Sequence, residues 1–233
     1  MAGHVSTLRH RLAERPLRGT FVKLPAVEVI EILATELDFA VVDLEHSQLS
    51  EGQCLRLVRH AYILGFPVVV RVPAVERGLI NRLLEGGAAG IQVSTVARSA
   101  DVTAARSAAE YAPRGTRSIS LSHPLARYGG VGLADYIRAQ EPPLIVAQIE
   151  TLATEDPLEK ILDARPDVAF VGVTDITVDA GLDRERAKAR VDEILAAASA
   201  AGVATGGFGD DPRFRYAVVS SDVSLLQKAV ALA

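Results

Sequence analysis

The chain contains no tryptophan, one methionine and one cysteine, and only four of its twenty-five basic residues are lysines. A single thiol, Cys54, excludes an internal disulfide and any cysteine-built zinc site. It is read as a small, half-buried helix residue. No apolar run approaches the roughly 20 residues that a membrane span needs. Residues 1–18 are polar and basic with no apolar core segment, so no secretory leader is expected there. A net charge of −4 leaves no basic stripe for nucleic acid. A soluble, cytoplasmic protein is the expectation.

What is present is a large apolar fraction, 49%, beside 23% charged residues. That balance builds a sizeable core and argues against disorder. Short β-rich runs alternate with helical patterns along the whole chain. Strands are expected at residues 19–23, 39–43, 67–71, 89–93, 144–148, 168–172, 203–206 and 216–220. Between them the spacing predicts helices over 25–35, from a cap at Ser50, and over 76–85, 99–111, 152–164 and 183–201. Only a weak helix is expected after the seventh strand, and Asp222 is expected to cap a last one. His123 falls in the long segment 112–143 and is expected to be exposed. That segment carries four prolines and one short helix near 133–140, and a connection of such length is usually functional.

The strands are continuously apolar rather than alternating, which marks a parallel sheet covered on its outer face by helices. Eight strand–helix units of 233 residues in one domain fit a (β/α)8 TIM barrel. A doubly wound sheet is the alternative, but no Gly-x-Gly-x-x-Gly follows the first strand.

In such a barrel, chemistry sits where the strands end. Those ends read Lys23; Asp43, Glu45 and His46; Arg71; Gln92 and Ser94; Gln148 and Glu150; and Thr174 with Asp175. Each apolar run stops at a polar group, and together they describe an anion-binding, charge-rich ring. Glu150 and Asp175 offer hard oxygen ligands suited to Mg²⁺ or Mn²⁺. Taken singly, Glu150 also reads as a helix-start acid and Asp175 as a turn residue. Arg71 suits a carboxylate or enolate oxygen, or an ion pair with Asp43 or Glu45. His46 is the one histidine at a strand end and the candidate base; His4, His10 and His60 are not so placed. Lys23 at a strand end raises the competing chemistry of an imine-forming aldolase.

The segments Gly19-Thr20-Phe21-Val22-Lys23, Asp43-Leu44-Glu45-His46, Val70-Arg71-Val72-Pro73, Leu83-Leu84-Glu85-Gly86-Gly87-Ala88, Gln148-Ile149-Glu150-Thr151 and Gly172-Val173-Thr174-Asp175 occur in that order. With them the chain resembles the HpcH/HpaI family of metal-dependent pyruvate aldolases over nearly its whole length. The resemblance implies a carbon–carbon lyase that cleaves a 4-hydroxy-2-oxo acid to pyruvate and an aldehyde through a metal-stabilised enolate. A divalent metal is implied, Mg²⁺ first and Mn²⁺ or Co²⁺ as alternatives, bound by Glu150 and Asp175. Gln148 with Gly172, Val173, Thr174 and Asp175 would hold the 2-oxo acid. Arg71 would stabilise the enolate, His46 would be the base, Glu85 its acidic partner, and Asp43 would support the network. A homo-oligomer, a hexamer with exchanged C-terminal helices, is also implied. Two other readings stand beside this one: an acyl-CoA lyase of the citrate-lyase β type, and a degenerate barrel kept for binding. The chain departs from the family in three places: Glu85 replaces the usual aspartate, Val173 replaces a proline, and Ser94 stands where a proline is common.

Overall fold

The computed structural model describes residues 8–232. His4 and the expected polar start over residues 1–7 lie outside them. Eight strands close one parallel barrel in sequence order: β1 (Leu17–Val22), β2 (Phe39–Asp43), β3 (Val68–Val72), β4 (Gly90–Val93), β5 (Leu144–Ile149), β6 (Val168–Val171), β7 (Ala204–Phe208) and β8 (Tyr216–Ser221). The helices are α1 (Leu8–Glu14), α2 (Val27–Leu33), α3 (Glu51–Leu64), α4 (Arg77–Gly86), α5 (Ser99–Ala109), α6 (Leu133–Arg138), α7 (Leu158–Asp163), α8 (Val173–Asp179), α9 (Arg184–Ala200) and α10 (Asp222–Ala231). None of the described helices is long and apolar enough to cross a membrane.

Successive strand residues face opposite sides of the sheet. One set, with Val42, Val70, Ile91 and Ala147, packs against the helices. The other set fills the barrel with Phe21, Phe39, Val41, Val69, Val146, Phe170 and Tyr216. Phe39 and Tyr216 stack inside at 4.2 Å between ring centroids. Gly19 is required beside them, because a β-carbon there would come within 2.4 Å of the Phe39 ring. The same inward parity continues to Asp43, Arg71, Gln92 and Gln148. The barrel is therefore filled with hydrocarbon below and roofed by polar groups at its C-terminal mouth.

Several expected elements differ. Helix α1 is additional: Leu8 and Leu12 turn inward and join the barrel's interior cluster. Helix α8 replaces the turn expected after β6, and no helix lies between β7 and β8. The helix expected over 152–164 begins only at Leu158, because Asp156 and Pro157 interrupt the preceding turn. Ser221, not Asp222, caps α10 by accepting from the Ser224 N–H. Asp222 instead accepts from the Lys23 and Leu24 N–H groups at 2.9 Å, tying the end of β8 to the end of β1. His123 is buried rather than exposed, its ring 5.3 Å from that of Tyr136. Cys54 is wholly rather than half buried, on the inner face of α3.

Candidate active site

The first arc of the mouth is built on Asp43, which has no exposed surface. Arg71 Nε and Nη2 donate to its two oxygens at 2.9 and 2.6 Å. Lys23 Nζ donates to Oδ2 at 2.6 Å and to the His46 carbonyl at 2.8 Å. The backbone N–H groups of Glu45 and His46 add two more donors to Oδ1. Burial would raise the Asp43 carboxyl, but the Arg71 and Lys23 hydrogen bonds outweigh it and hold the group well below the usual carboxylate range. Arg71 also lies 4.5 Å over the Phe21 ring, so its plane is fixed from below. Its remaining nitrogen, Nη1, points to Glu45 Oε2 at 3.3 Å. The same Glu45 oxygen is 3.7 Å from His46 Nε2, whose ring is 62% exposed at the rim.

The second arc is a relay of side-chain amides. Gln92 Nε2 donates to Gln148 Oε1 at 2.6 Å, and Gln148 Nε2 donates to Glu150 Oε2. Gln92 Oε1 is buried without a partner. Glu150 Oε1 accepts twice from Thr95, from the N–H at 2.7 Å and the hydroxyl at 2.6 Å. Thr95 sits at φ +50°, a left-handed backbone that β-branched residues rarely adopt. Such a conformation costs about 1–3 kcal/mol and clusters at functional sites. Glu150 Oε2 faces Gly172: a β-carbon there would come within 2.4 Å of Glu150 Cβ and 2.7 Å of Oε2. Gly172 precedes α8, whose first turn carries Asp175. The Asp175 carboxylate is exposed and has no partner among the described residues. Ser94 connects the arcs, its hydroxyl donating to Glu45 Oε2 at 2.6 Å.

The barrel mouth thus carries one carboxylate saturated by cations, Asp43, a second held only by uncharged donors, Glu150, and a third without a partner among the described residues, Asp175. A family model described as HpcH/HpaI aldolase/citrate lyase matches residues 18–213. The chain belongs to that family. It is 30% identical over 232 residues to a hydroxypyruvate/pyruvate aldolase of Rhizorhabdus wittichii, covering 92% of this chain and 91% of that protein. A second hydroxypyruvate/pyruvate aldolase, from Paraburkholderia phytofirmans, is 29% identical over 98% of this chain and 96% of its own length. The crystal structure of an HpcH/HpaI aldolase from Desulfitobacterium hafniense superposes with a TM-score of 0.88 at 26% identity, over 97% of this chain and 94% of that one.

Of the residues read from sequence, Asp43, His46 and Arg71 meet in the first arc, with Lys23 and Glu45. Gln148 and Glu150 meet in the second, beside Gly172. Val173, Thr174 and Asp175 are exposed at the start of α8, above Gly172. Glu85 is not gathered with them. It lies in the last turn of α4, which runs back towards the N-terminal end of the barrel, and it accepts from Asn81 Nδ2 at 3.3 Å. Within one chain, this aldolase-family barrel therefore gives His46 a different acidic neighbour, Glu45. Thr95, and the second role of Ser94, carry no sequence signal, since hydroxyl residues after a strand are ordinary turn formers.

Proposed function

We propose that this chain is a divalent-metal-dependent carbon–carbon lyase that cleaves a 4-hydroxy-2-oxo acid to pyruvate and an aldehyde, and runs the reverse addition. The observation that carries the reading is Glu150, held by uncharged donors only, and Asp175, unpartnered among the described residues, beside a saturated cation–acid arc. Glu150 keeps a lone pair on Oε2, which accepts only from Gln148, Gly172 presents no side chain to that oxygen, and every group bonded to Glu150 is neutral. That set suits a hard divalent cation, Mg²⁺ before Mn²⁺ or Co²⁺. No group of three or more His, Cys, Asp or Glu is gathered among the described residues, so this pair would act with neutral oxygens and water. The cation would supply Lewis acidity at the 2-oxo group.

The remaining steps belong to the chain's own side chains. The N–H groups opening α8 have no intrahelical acceptor and suit the substrate carboxylate. His46 Nε2 takes the proton of the 4-hydroxyl as the C3–C4 bond breaks and the aldehyde carbonyl forms. The electron pair moves into the enolate, whose oxygen faces Arg71 Nη1. His46 then returns the proton to C3, giving pyruvate. Lys23 donates to Asp43 and to the His46 carbonyl, which leaves it no role as an imine-forming nucleophile. Chelation with EDTA is expected to abolish pyruvate-forming activity, and Mg²⁺ to restore it. Borohydride with pyruvate is expected to leave activity intact; the opposite pair of results overturns the reading. Cleavage of citramalyl-CoA in preference to a 4-hydroxy-2-oxo acid would replace it with the acyl-CoA lyase.

The reading includes a homo-oligomer. Helix α10 buries only Asp222, while Leu225, Leu226 and Val230 are 41, 57 and 69% exposed. An apolar helix face left open in one chain is the pattern of a subunit contact, and a hexamer is the expected assembly. Sedimentation velocity is expected to show a multiple of 24.7 kDa; a monomer overturns it.

A further inference from the structure

We propose that Ser94 and Thr95 form a positioning clamp: the Ser94 hydroxyl aims Glu45 at Arg71 and His46, and the Thr95 N–H and hydroxyl aim Glu150 at the cation. The inference rests on the lyase reading above and assigns work to a dipeptide outside its reacting set. Three observations carry it. The Ser94 hydroxyl reaches Glu45 Oε2 at 2.6 Å, the oxygen that faces Arg71 Nη1 and His46 Nε2. Thr95 engages only Oε1 of Glu150, leaving Oε2 to Gln148 on the side where Gly172 presents no side chain. The dipeptide is itself pinned on both sides, with Ser94 N–H on Val72 O of β3 at 3.2 Å and Val96 N–H on Gln148 O of β5 at 2.8 Å.

The left-handed backbone at Thr95 has a purpose in this arrangement. In an extended continuation of β4, neighbouring side chains would point to opposite faces of the sheet. The turn at φ +50° lets adjacent residues after β4 serve two acids from one loop, one following β2 and one following β5. A proline at position 94 would lose the bond to Glu45 and the N–H bond to Val72 together.

The test uses the full-length protein and Mn²⁺ as the probe. Thr95→Val keeps shape and backbone N–H but removes the hydroxyl. Calorimetry is expected to show Mn²⁺ binding weakened about 10-fold, the scale of an outer ligand-orienting contact. Thr95→Ser is expected to restore it. Ser94→Ala is expected to leave Mn²⁺ affinity unchanged and to lower kcat about 10-fold with the KM for pyruvate unmoved. Melting temperatures of the variants are recorded alongside. The clamp is overturned if Thr95→Val binds Mn²⁺ like the parent, if Ser94→Ala leaves kcat unchanged, or if Thr95→Ser behaves like Thr95→Val. A parent protein that binds no Mn²⁺ overturns the metal reading itself, and the Glu150 half of the clamp falls with it.

Discussion

Asp43 and Arg71 meet side-on, two nitrogens on two oxygens at 2.9 and 2.6 Å, with both groups withdrawn from solvent. A pair of this kind is weak evidence for stability as a unit, yet costly to break from one side. Asp43→Ala leaves Arg71 buried and Lys23 half-buried without their shared acceptor. Loss of about 3–5 kcal/mol is expected, read as a lower urea midpoint.

The same carboxylate sets a pH dependence. Its folded-state value lies below that of an unfolded aspartate, so its stabilisation is fully present above the unfolded value of about 3.9 and drains away as pH falls below that towards the lower folded value. Asp43→Asn is expected to be less stable near neutrality and to lose less stability on acidification. Urea titrations on either side of about pH 4 check this; an acid limb as steep as the parent's contradicts it.

Gly172→Ala tests the proposed cation site without replacing either of its carboxylates. The new methyl would lie 2.4 Å from Glu150 Cβ, so Glu150 or the start of α8 must shift. Mn²⁺ affinity is expected to fall at least about 10-fold, measured by calorimetry.

Cys54 makes a prediction at the alkaline end. Burial, with a smaller contribution from Glu51, pushes its thiol up to about 12. A thiol raised above its unfolded value of about 8.5 stabilises fully below that pH and loses the contribution as pH climbs towards the folded value. The native thiol is expected to resist Ellman's reagent until urea unfolds the chain. Cys54→Ala is expected to flatten the alkaline stability limb.

Leu12→Ala probes the lower closure of the barrel. Leu12 is buried in the interior cluster, and its truncation is expected to cost about 2–5 kcal/mol. Chemical denaturation measures it. Chemistry at the far mouth is expected to persist at temperatures where the variant stays folded.

The barrel was legible because its strands are continuous apolar runs, each ending at a polar residue. Those endings put Lys23, Asp43, His46, Arg71, Gln148 and Glu150 at one mouth, because a parallel barrel gathers the C-terminal ends of its strands on one side. What escaped has identifiable causes. Helix α1 has two inward leucines in seven residues, too little periodicity to register. Helix α8 reads Val-Thr-Asp-Ile-Thr-Val-Asp, whose β-branched residues oppose a helix that tertiary packing nonetheless imposes. His123 precedes a proline in a long loop, a context that reads as solvent, whereas in the fold its buried ring packs edge-on to Tyr136. Glu85 entered through a motif, and motif spacing says nothing about which end of a helix faces the chemistry.

The two arcs of the mouth also differ in electrical bookkeeping. Around Asp43, Lys23 and Arg71 offset Asp43 and Glu45 charge for charge, so that sector is neutral before any substrate arrives. Around Glu150 the relay partners Gln92, Gln148 and Thr95 are uncharged, and Asp175 adds a second negative charge. The vestibule is therefore short by two positive charges, and short on one side only. A univalent ion would leave half of that deficit standing. At the proposed site, that charge arrangement would favour a divalent cation over a univalent one before coordination geometry has any say.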